Sequence, residues 1–282
     1  MQPLDRVLLD TPHVKVGAFR VAVGDPRFRD SGPIQNHLIA FPRNGVFIRQ
    51  AGSRRIVADS RVVTIYNQGQ EYERYPICPD GDRSDWFAVT PELALAIASE
   101  HDPKASSSSN RCFRFGATAS DATLYLRQRR LFLRLERGEM DRLEAEEEVL
   151  TLFGAVIARA VSARTDALEG TKASARRALV EGAQAELAQT LSNPTDVTEL
   201  ARRLDTSPYH LCRVFRQGTG LTLHAYRLDL RVRNAMECLS DARTDISRVA
   251  LELGFSSHSH FTSVFRARVG MTPASCRQTL TH

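Results

Sequence analysis

The stretch "HLCRVF", residues 210–215, returns fifty residues later as "HFTSVF" at 260–265. At that offset His210/His260, Val214/Val264, Phe215/Phe265, Arg216/Arg266, Gly220/Gly270 and Thr222/Thr272 are identical pairs. The run leading into the first copy is "DVTELARRLDTSPYHLCRVFRQGTGLTLHAY". Val197, Leu200, Ala201 and Leu204 form an apolar helix stripe, and Asp205-Thr206 breaks it. Ser207 is a good N-cap, and Pro208 stands at the first helical position, where a missing N–H costs nothing. The next helix turns Leu211, Val214 and Phe215 one way. It turns Tyr209, Cys212, Arg213 and Arg216 the other way, at i, i+3, i+4 and i+7.

The second run, "DISRVALELGFSSHSHFTSVFRARVGMTPASCR", repeats the plan. Ile246, Val249, Ala250 and Leu253 supply the first stripe, Gly254 the turn and Ser257 the cap. Phe261, Val264 and Phe265 face inward; Ser259, Thr262, Ser263 and Arg266 face outward. The first helices match at an offset of 49, so the second turn is one residue longer. Each hexapeptide is then the middle of the second helix of a helix-turn-helix, the units covering about 197–217 and 246–268. Such a second helix can lie in the DNA major groove, and two units in one chain can read groove segments about one helical turn apart. "LHAYRLDLRVRNAMECL" (223–239) is the predicted connecting helix. Arg227 and Arg231 on it, with Arg216 and Arg266, are candidates for phosphate contacts.

Charge agrees with this division. From residue 171 on there are 15 Lys+Arg and 10 Asp+Glu, whereas residues 1–170 hold 23 of each. The whole net charge of +5 sits in the C-terminal part, which points to a polyanion partner for that part only.

These C-terminal ~110 residues resemble the DNA-binding domain of AraC/XylS-type transcriptional regulators. The matching pieces are "ELARRLDTSPYHLCRVFRQGTGLT", "YRLDLRVRNAMECL" and "ALELGFSSHSHFTSVFR" with its following G-x-TP. Asp205 departs from the pattern, which usually has Gly there; the turn favours φ > 0, and Asp tolerates that better than most residues. The resemblance implies a sequence-specific regulator, usually an activator, working with RNA polymerase on double-stranded DNA. It implies base contacts from the outer residues opening each second helix: Tyr209, Cys212 and Arg213, then His258, Ser259, Thr262 and Ser263. Arg213 is the strongest of these, because its fork can bond guanine O6 and N7 together.

The first ~100 residues read as β. "GAFRVAV", "GVFIRQ" and "RVVTIYN" alternate apolar and polar residues between frequent Gly and Pro turns, as in a barrel or sandwich. "TPELALAIASE" reads as a short helix and "KASSSSN" (104–110) as a loop. The period then becomes helical in "DATLYLRQRRLFLRLERGEM" and again after Asp141, where Glu144 completes a capping box. Leu143, Leu150 and Ile157 recur every seven residues. Two readings stand open: the stripe packs on the β-domain, or residues 141–161 form a homodimer interface. "HLIAFPRNGVFIRQAG", "VVTIYNQGQEYER" and "GDRSDWFAVTPE" resemble the cupin-like arm that the family often carries. The expected fold class is therefore α+β. A cupin-like β-barrel with dimerisation-type helices (1–165) and a linker (166–172) lead to an all-α domain of two helix-turn-helix units joined by a helix (173–282).

A sensor role suits the first domain. Phe41, Phe47, Arg49, Tyr66 and Trp86 are candidates to line a small-molecule effector pocket, with Arg49 meeting an anionic ligand. A cupin enzyme domain tethered to DNA is the competing class. It is disfavoured because residues 1–170 contain only His13, His37 and His101, with no HxH pair, nucleophile elbow, phosphate loop or HExxH. His258 and His260 point about 200° apart on a helix, which does not suit shared ligation. No metal or other cofactor is expected. Control by abundance, or by oxidation of Cys78 or of Cys112 between Arg111 and Arg114, are further alternatives. The opening "MQPLDRVLLD" is unlike a signal peptide and no apolar run approaches a membrane span, so a cytoplasmic protein is expected.

Overall fold

The computed structural model describes residues 5–29, 32–102, 111–163, 173–193 and 195–281. The expected linker (166–172) and the expected loop (104–110) lie outside these. The chain divides into two compact units, Met1–Ala167 and Leu168–His282.

Alternation of apolar residues builds the first unit as two antiparallel sheets. Strands β1 (Asp5–Asp10), β2 (Val14–Val21), β3 (His37–Pro42), β4 (Val46–Gln50), β5 (Arg55–Ala58), β6 (Val62–Tyr66), β7 (Tyr72–Pro76), β8 (Asp82–Val89) and β9 (Ala117–Ala119) form it. One sheet has the order β1-β2-β8-β3-β6-β9 and the other β5-β4-β7. The expected barrel is met at the coarser level of antiparallel sheets, without closure into one continuous sheet. Three helices follow the strands: α1 (Pro91–His101), α2 (Ala122–Arg137) and α3 (Arg142–Ala163). Each opens on a side-chain cap, with Thr90, Asp121 and Asp141 accepting from the backbone N–H three residues on. Gly138 closes α2 at φ 69°, a left-handed position that glycine adopts freely.

The strand period of two splits the unit into two apolar layers. Ile39 and Phe41, Val63 and Ile65, and Phe87 and Val89 face the helices, packing with Phe132, Val149, Leu152 and Phe153. The alternate residues Ala40, Tyr66 and Trp86 face the other sheet with Val21, Val46 and Ile48. The buried carboxylate of Asp85 on β8 ties α2 to the sheet, accepting from Arg129 Nη1 at 2.6 Å and from Gln128 Nε2 at 2.7 Å.

Helix α3 answers the open question of its stripe. Leu143 is 74% exposed while Ile157 and Phe153 are fully buried, so the seven-residue seam does not form one surface. The inward face is Val149, Leu152, Phe153, Val156, Ile157 and Ala160, which packs on the β-domain.

The second unit is helical: α4 (Ala173–Gln189), α5 (Val197–Arg203), α6 (Pro208–Thr219), α7 (Leu223–Leu239), α8 (Ile246–Glu252), α9 (His258–Val269) and α10 (Pro273–Thr281). Leu200, Ala201, Leu211, Phe215, Tyr226 and Leu230 form a core with Ala183 and Leu187 of α4.

Candidate functional site

Helices α5 and α6 form the first helix-turn-helix. Asp196 caps α5 by accepting from the Glu199 N–H at 2.8 Å. The turn after α5 places Asp205 at φ 49°, the one non-glycine residue with positive φ among the described residues. The equivalent turn after α8 uses Gly254, at φ 75°. Ser207 Oγ then accepts from the His210 N–H at 3.2 Å and starts α6; Ser257 Oγ does the same for His260 at 3.1 Å and starts α9. Gly220 and Gly270 close the two helices at φ 73° and 83°. Thr222 and Thr272 cap the helices that follow, α7 and α10. Among the identical pairs, Gly220/Gly270 and Thr222/Thr272 are thus helix stops and caps and Phe215/Phe265 are core residues, while Arg216/Arg266 stay exposed.

On α6, Leu211, Val214 and Phe215 are buried, and Tyr209, Cys212, Arg213 and Arg216 are exposed. Tyr209 is 79% exposed, which is costly for an aromatic ring and leaves a large contact surface free. One Arg213 Nη nitrogen lies 3.3 Å from His210 Nδ1, which holds the guanidinium beside the helix start. On α9, His258, Ser259, Ser263 and Arg266 are exposed. Thr262 departs from the expected outward set. It is half-buried, and its hydroxyl is buried with no hydrogen-bond partner among the described residues. Val264 is likewise only half-buried, while Phe261 and Phe265 carry the inward face and stack edge-on, 5.5 Å between centroids. This rotates the face of α9 slightly from the expected one. His260 is held at the turn, with Nδ1 3.0 Å from Ser256 Oγ and its ring against Phe255.

Arg231 is not a surface cation. It is 5% exposed, and its guanidinium donates to the Leu191 carbonyl at 2.8 Å and to the Gly254 carbonyl at 2.8 Å. It brackets the end of α4 to the turn of the second helix-turn-helix. Burial and the neighbouring Arg227 pull its pKa down to about 10. A phosphate contact from Arg231 is therefore excluded by its internal partners. Arg227 is half-buried and donates to the Thr195 carbonyl at 3.3 Å, leaving it partly engaged. Nothing in the 223–239 segment separates Arg231 from Arg227, because both lie at helical spacing and only packing distinguishes them.

In the first unit a cavity of about 430 Å³ lies between the sheets, lined by Tyr66 and Trp86 among others. Phe41, Phe47 and Arg49 do not line it. Phe41 has the parity of the helix-facing layer and is fully buried there. On β4, Val46 and Ile48 point inward, so Phe47 and Arg49 point out. Phe47 lies under the Arg55 guanidinium at 4.2 Å, and Arg49 pairs with Glu73. Among the polar groups of the cavity that the sequence did not mark are Asp5, Tyr72, Arg74 and Asp82. For Tyr72 and Arg74 the signal was alternation in "EYERYP", which marks them as sharing one face without saying which.

Both oxidation-sensing candidates have thiols raised by burial. Cys112 is 2% exposed, and burial pushes its thiol up to about 11 in spite of the two flanking arginines. Burial also raises the half-buried Cys78 thiol. Among the described residues no helix is long and apolar enough to cross a membrane.

Comparison with known proteins finds similarity to a family model, to curated regulators and to a solved structure. A family model described as a helix-turn-helix domain matches residues 200–279. The chain is 36% identical over 131 residues to the HTH-type transcriptional regulator GlxA of Rhizobium meliloti, covering 45% of this chain and 39% of that protein. It is 32% identical over 112 residues to the HTH-type transcriptional activator RhaR of Klebsiella pneumoniae, covering 40% of each. The chain thus spans about two-fifths of the length of the curated relatives it matches. A solved structure of an AraC-type regulator from Chromobacterium violaceum covers 38% of this chain and 95% of its own, at 26% identity and TM-score 0.36.

Proposed function

We propose that this chain is a sequence-specific DNA-binding transcriptional regulator of the AraC type, with residues 200–279, which the helix-turn-helix family model matches, as its DNA-binding part. The observation that carries the reading is the doubled helix-turn-helix whose second helices each bury one face and leave the other polar and exposed. Tyr209, Cys212 and Arg213 of α6, with His258, Ser259 and Ser263 of α9, are assigned to base edges. Arg216 and Arg266 are assigned to phosphates, and Arg227 joins them if its bond to Thr195 opens on DNA. The base code is richer on α6, whose Arg213 offers a bidentate fork, than on α9, which offers short polar groups and histidine. In this reading α9 mainly positions the protein.

The reading extends to an activator that recruits RNA polymerase. The N-terminal unit serves as an open, cupin-like effector-sensing or dimerisation arm rather than an enzyme. A ligand in its cavity shifts DNA binding only to the extent that it favours one conformational state over another.

The test is fluorescence anisotropy with the DNA upstream of the protein's own gene and a scrambled duplex, at low and at physiological salt. Binding that survives salt only on the upstream DNA supports the reading. If the full chain binds no duplex even at low salt, the reading fails, because nonspecific phosphate affinity is the minimum that a DNA-binding domain supplies.

A further inference from the structure

Among the described residues, three side chains other than tyrosine bring ionisable groups to the cavity between the sheets: Asp5, Arg74 and Asp82. Arg74 is held by internal partners. Its Nε lies 2.7 Å from Asp82 Oδ2, Nη1 donates to the Phe28 carbonyl at 3.0 Å, and Nη2 donates to the Tyr72 hydroxyl. Its guanidinium also lies 4.4 Å from the centre of the Phe19 ring. Asp82 accepts in addition from Ser84 Oγ at 2.8 Å. Arg74 and Asp82 therefore cancel as a pair.

Asp5 remains. It stands on the edge strand β1 and accepts from the Trp86 indole at 2.9 Å. Among the described residues the groups lining this mostly apolar chamber thus carry one carboxylate more than cations: Asp5, an exposed residue that shares the positive charge of Arg74 with Asp82. Burial raises the pKa of both Asp5 and Asp82, so both carboxylates would gain from a nearby cation. An anion would meet Asp5 first. It could reach Arg74 only by displacing Asp82, which would leave a buried carboxylate without its partner. The volume, about 430 Å³, is that of a site for a small organic molecule.

We propose that this cavity takes a small amphiphilic cation, an apolar body carrying one protonated amine or other cationic nitrogen seated against Asp5. The proposal rests on the reading of the N-terminal unit as an effector-binding arm and names the chemistry of the effector.

Trp86 is the single tryptophan of the chain and lines the cavity, so its emission reports occupancy directly. Full-length protein is titrated at pH 7 with octylamine, octanol and octanoate, each below micelle-forming concentrations. The three share one tail and differ in head-group charge. The amine is expected to saturate at least about tenfold more tightly than the alcohol, with the carboxylate weakest. Asp5→Asn should bring the amine down to the alcohol's affinity and leave the alcohol unchanged, with thermal melting as the check on folding. The ranking on the unaltered protein stands whether or not that variant folds. If octanoate binds most tightly, or amine and alcohol bind alike, charge selection is overturned while the cavity survives as a binding site. If none of the three gives a saturable change, the effector-binding reading fails with it.

Discussion

Single residues at the DNA-facing helices carry separable tasks. Arg213 is exposed at the start of α6 with a fork suited to guanine. Arg213→Ala is expected to weaken binding to the true operator by about 1–3 kcal/mol and to leave nonspecific binding nearly unchanged. Equal loss on both DNAs in anisotropy titrations would reassign Arg213 to phosphate. Cys212, one turn from Tyr209, is the exposed cysteine of the five. A thiol reagent should modify it first in the native protein, and operator DNA should protect it. Cys112 and Cys276, pushed up to about 11 and about 12 by burial, should react only on unfolding. Modification of Cys212 at the same rate with and without bound operator, read by mass spectrometry, would remove α6 from the interface. At the turn, Asp205 holds φ 49° at the place where the second unit uses glycine. Asp205→Val should cost about 1–2 kcal/mol in thermal or denaturant unfolding, because a β-branched side chain opposes the left-handed region, while Asp205→Gly should not.

The elements matter because the two units are built alike and then joined. Serine caps start both α6 and α9, and each Ser→Ala change at 207 or 257 should cost about 1 kcal/mol. The join runs through α7. Arg231 supplies the donors for the Leu191 and Gly254 carbonyls. A Cβ placed on Gly254 would meet Arg231 Nη2 at 2.6 Å and the Ser192 carbonyl oxygen at 2.7 Å, so the bracket leaves no room for another residue there. Arg231→Met strands two half-buried carbonyls and should cost about 1–3 kcal/mol of stability. It should leave the salt slope of DNA binding unchanged in the fraction that remains folded. A slope smaller by about one would mean that Arg231 touches phosphate after all.

At the scale of the whole molecule, the two compact units have separate cores and separate buried polar anchors. Asp85→Ala in the first unit would remove the buried carboxylate that Arg129, Gln128 and Arg43 share. That should destabilise the unit by about 3–5 kcal/mol. Calorimetry should show the lowered transition in the N-terminal unit, with the helical unit melting as before. A single transition that shifts as one would show that the two units unfold together.

The doubled helix-turn-helix was legible in the sequence because its determinants are local. Ser207 and Ser257 cap the helix they precede, Asp205 and Gly254 meet a backbone requirement of their own turn, and the Leu/Val/Phe stripes declare which face is buried. The strands were legible for the same reason, since alternation marks two faces. Which face meets which layer was not local. Phe41 and Trp86 both lie on apolar strands, yet one packs under the helices and the other lines the cavity. That outcome depends on where the second sheet and α3 come to rest. Arg227 and Arg231 are four residues apart on one helix, and only the approach of the Leu191 and Gly254 carbonyls turns the second inward. The sequence by itself determined the elements, their caps, the repeat and its basic outer face. The tertiary structure alone decided which polar side chains are withdrawn from solvent, because burial is a property of neighbours brought from distant parts of the chain.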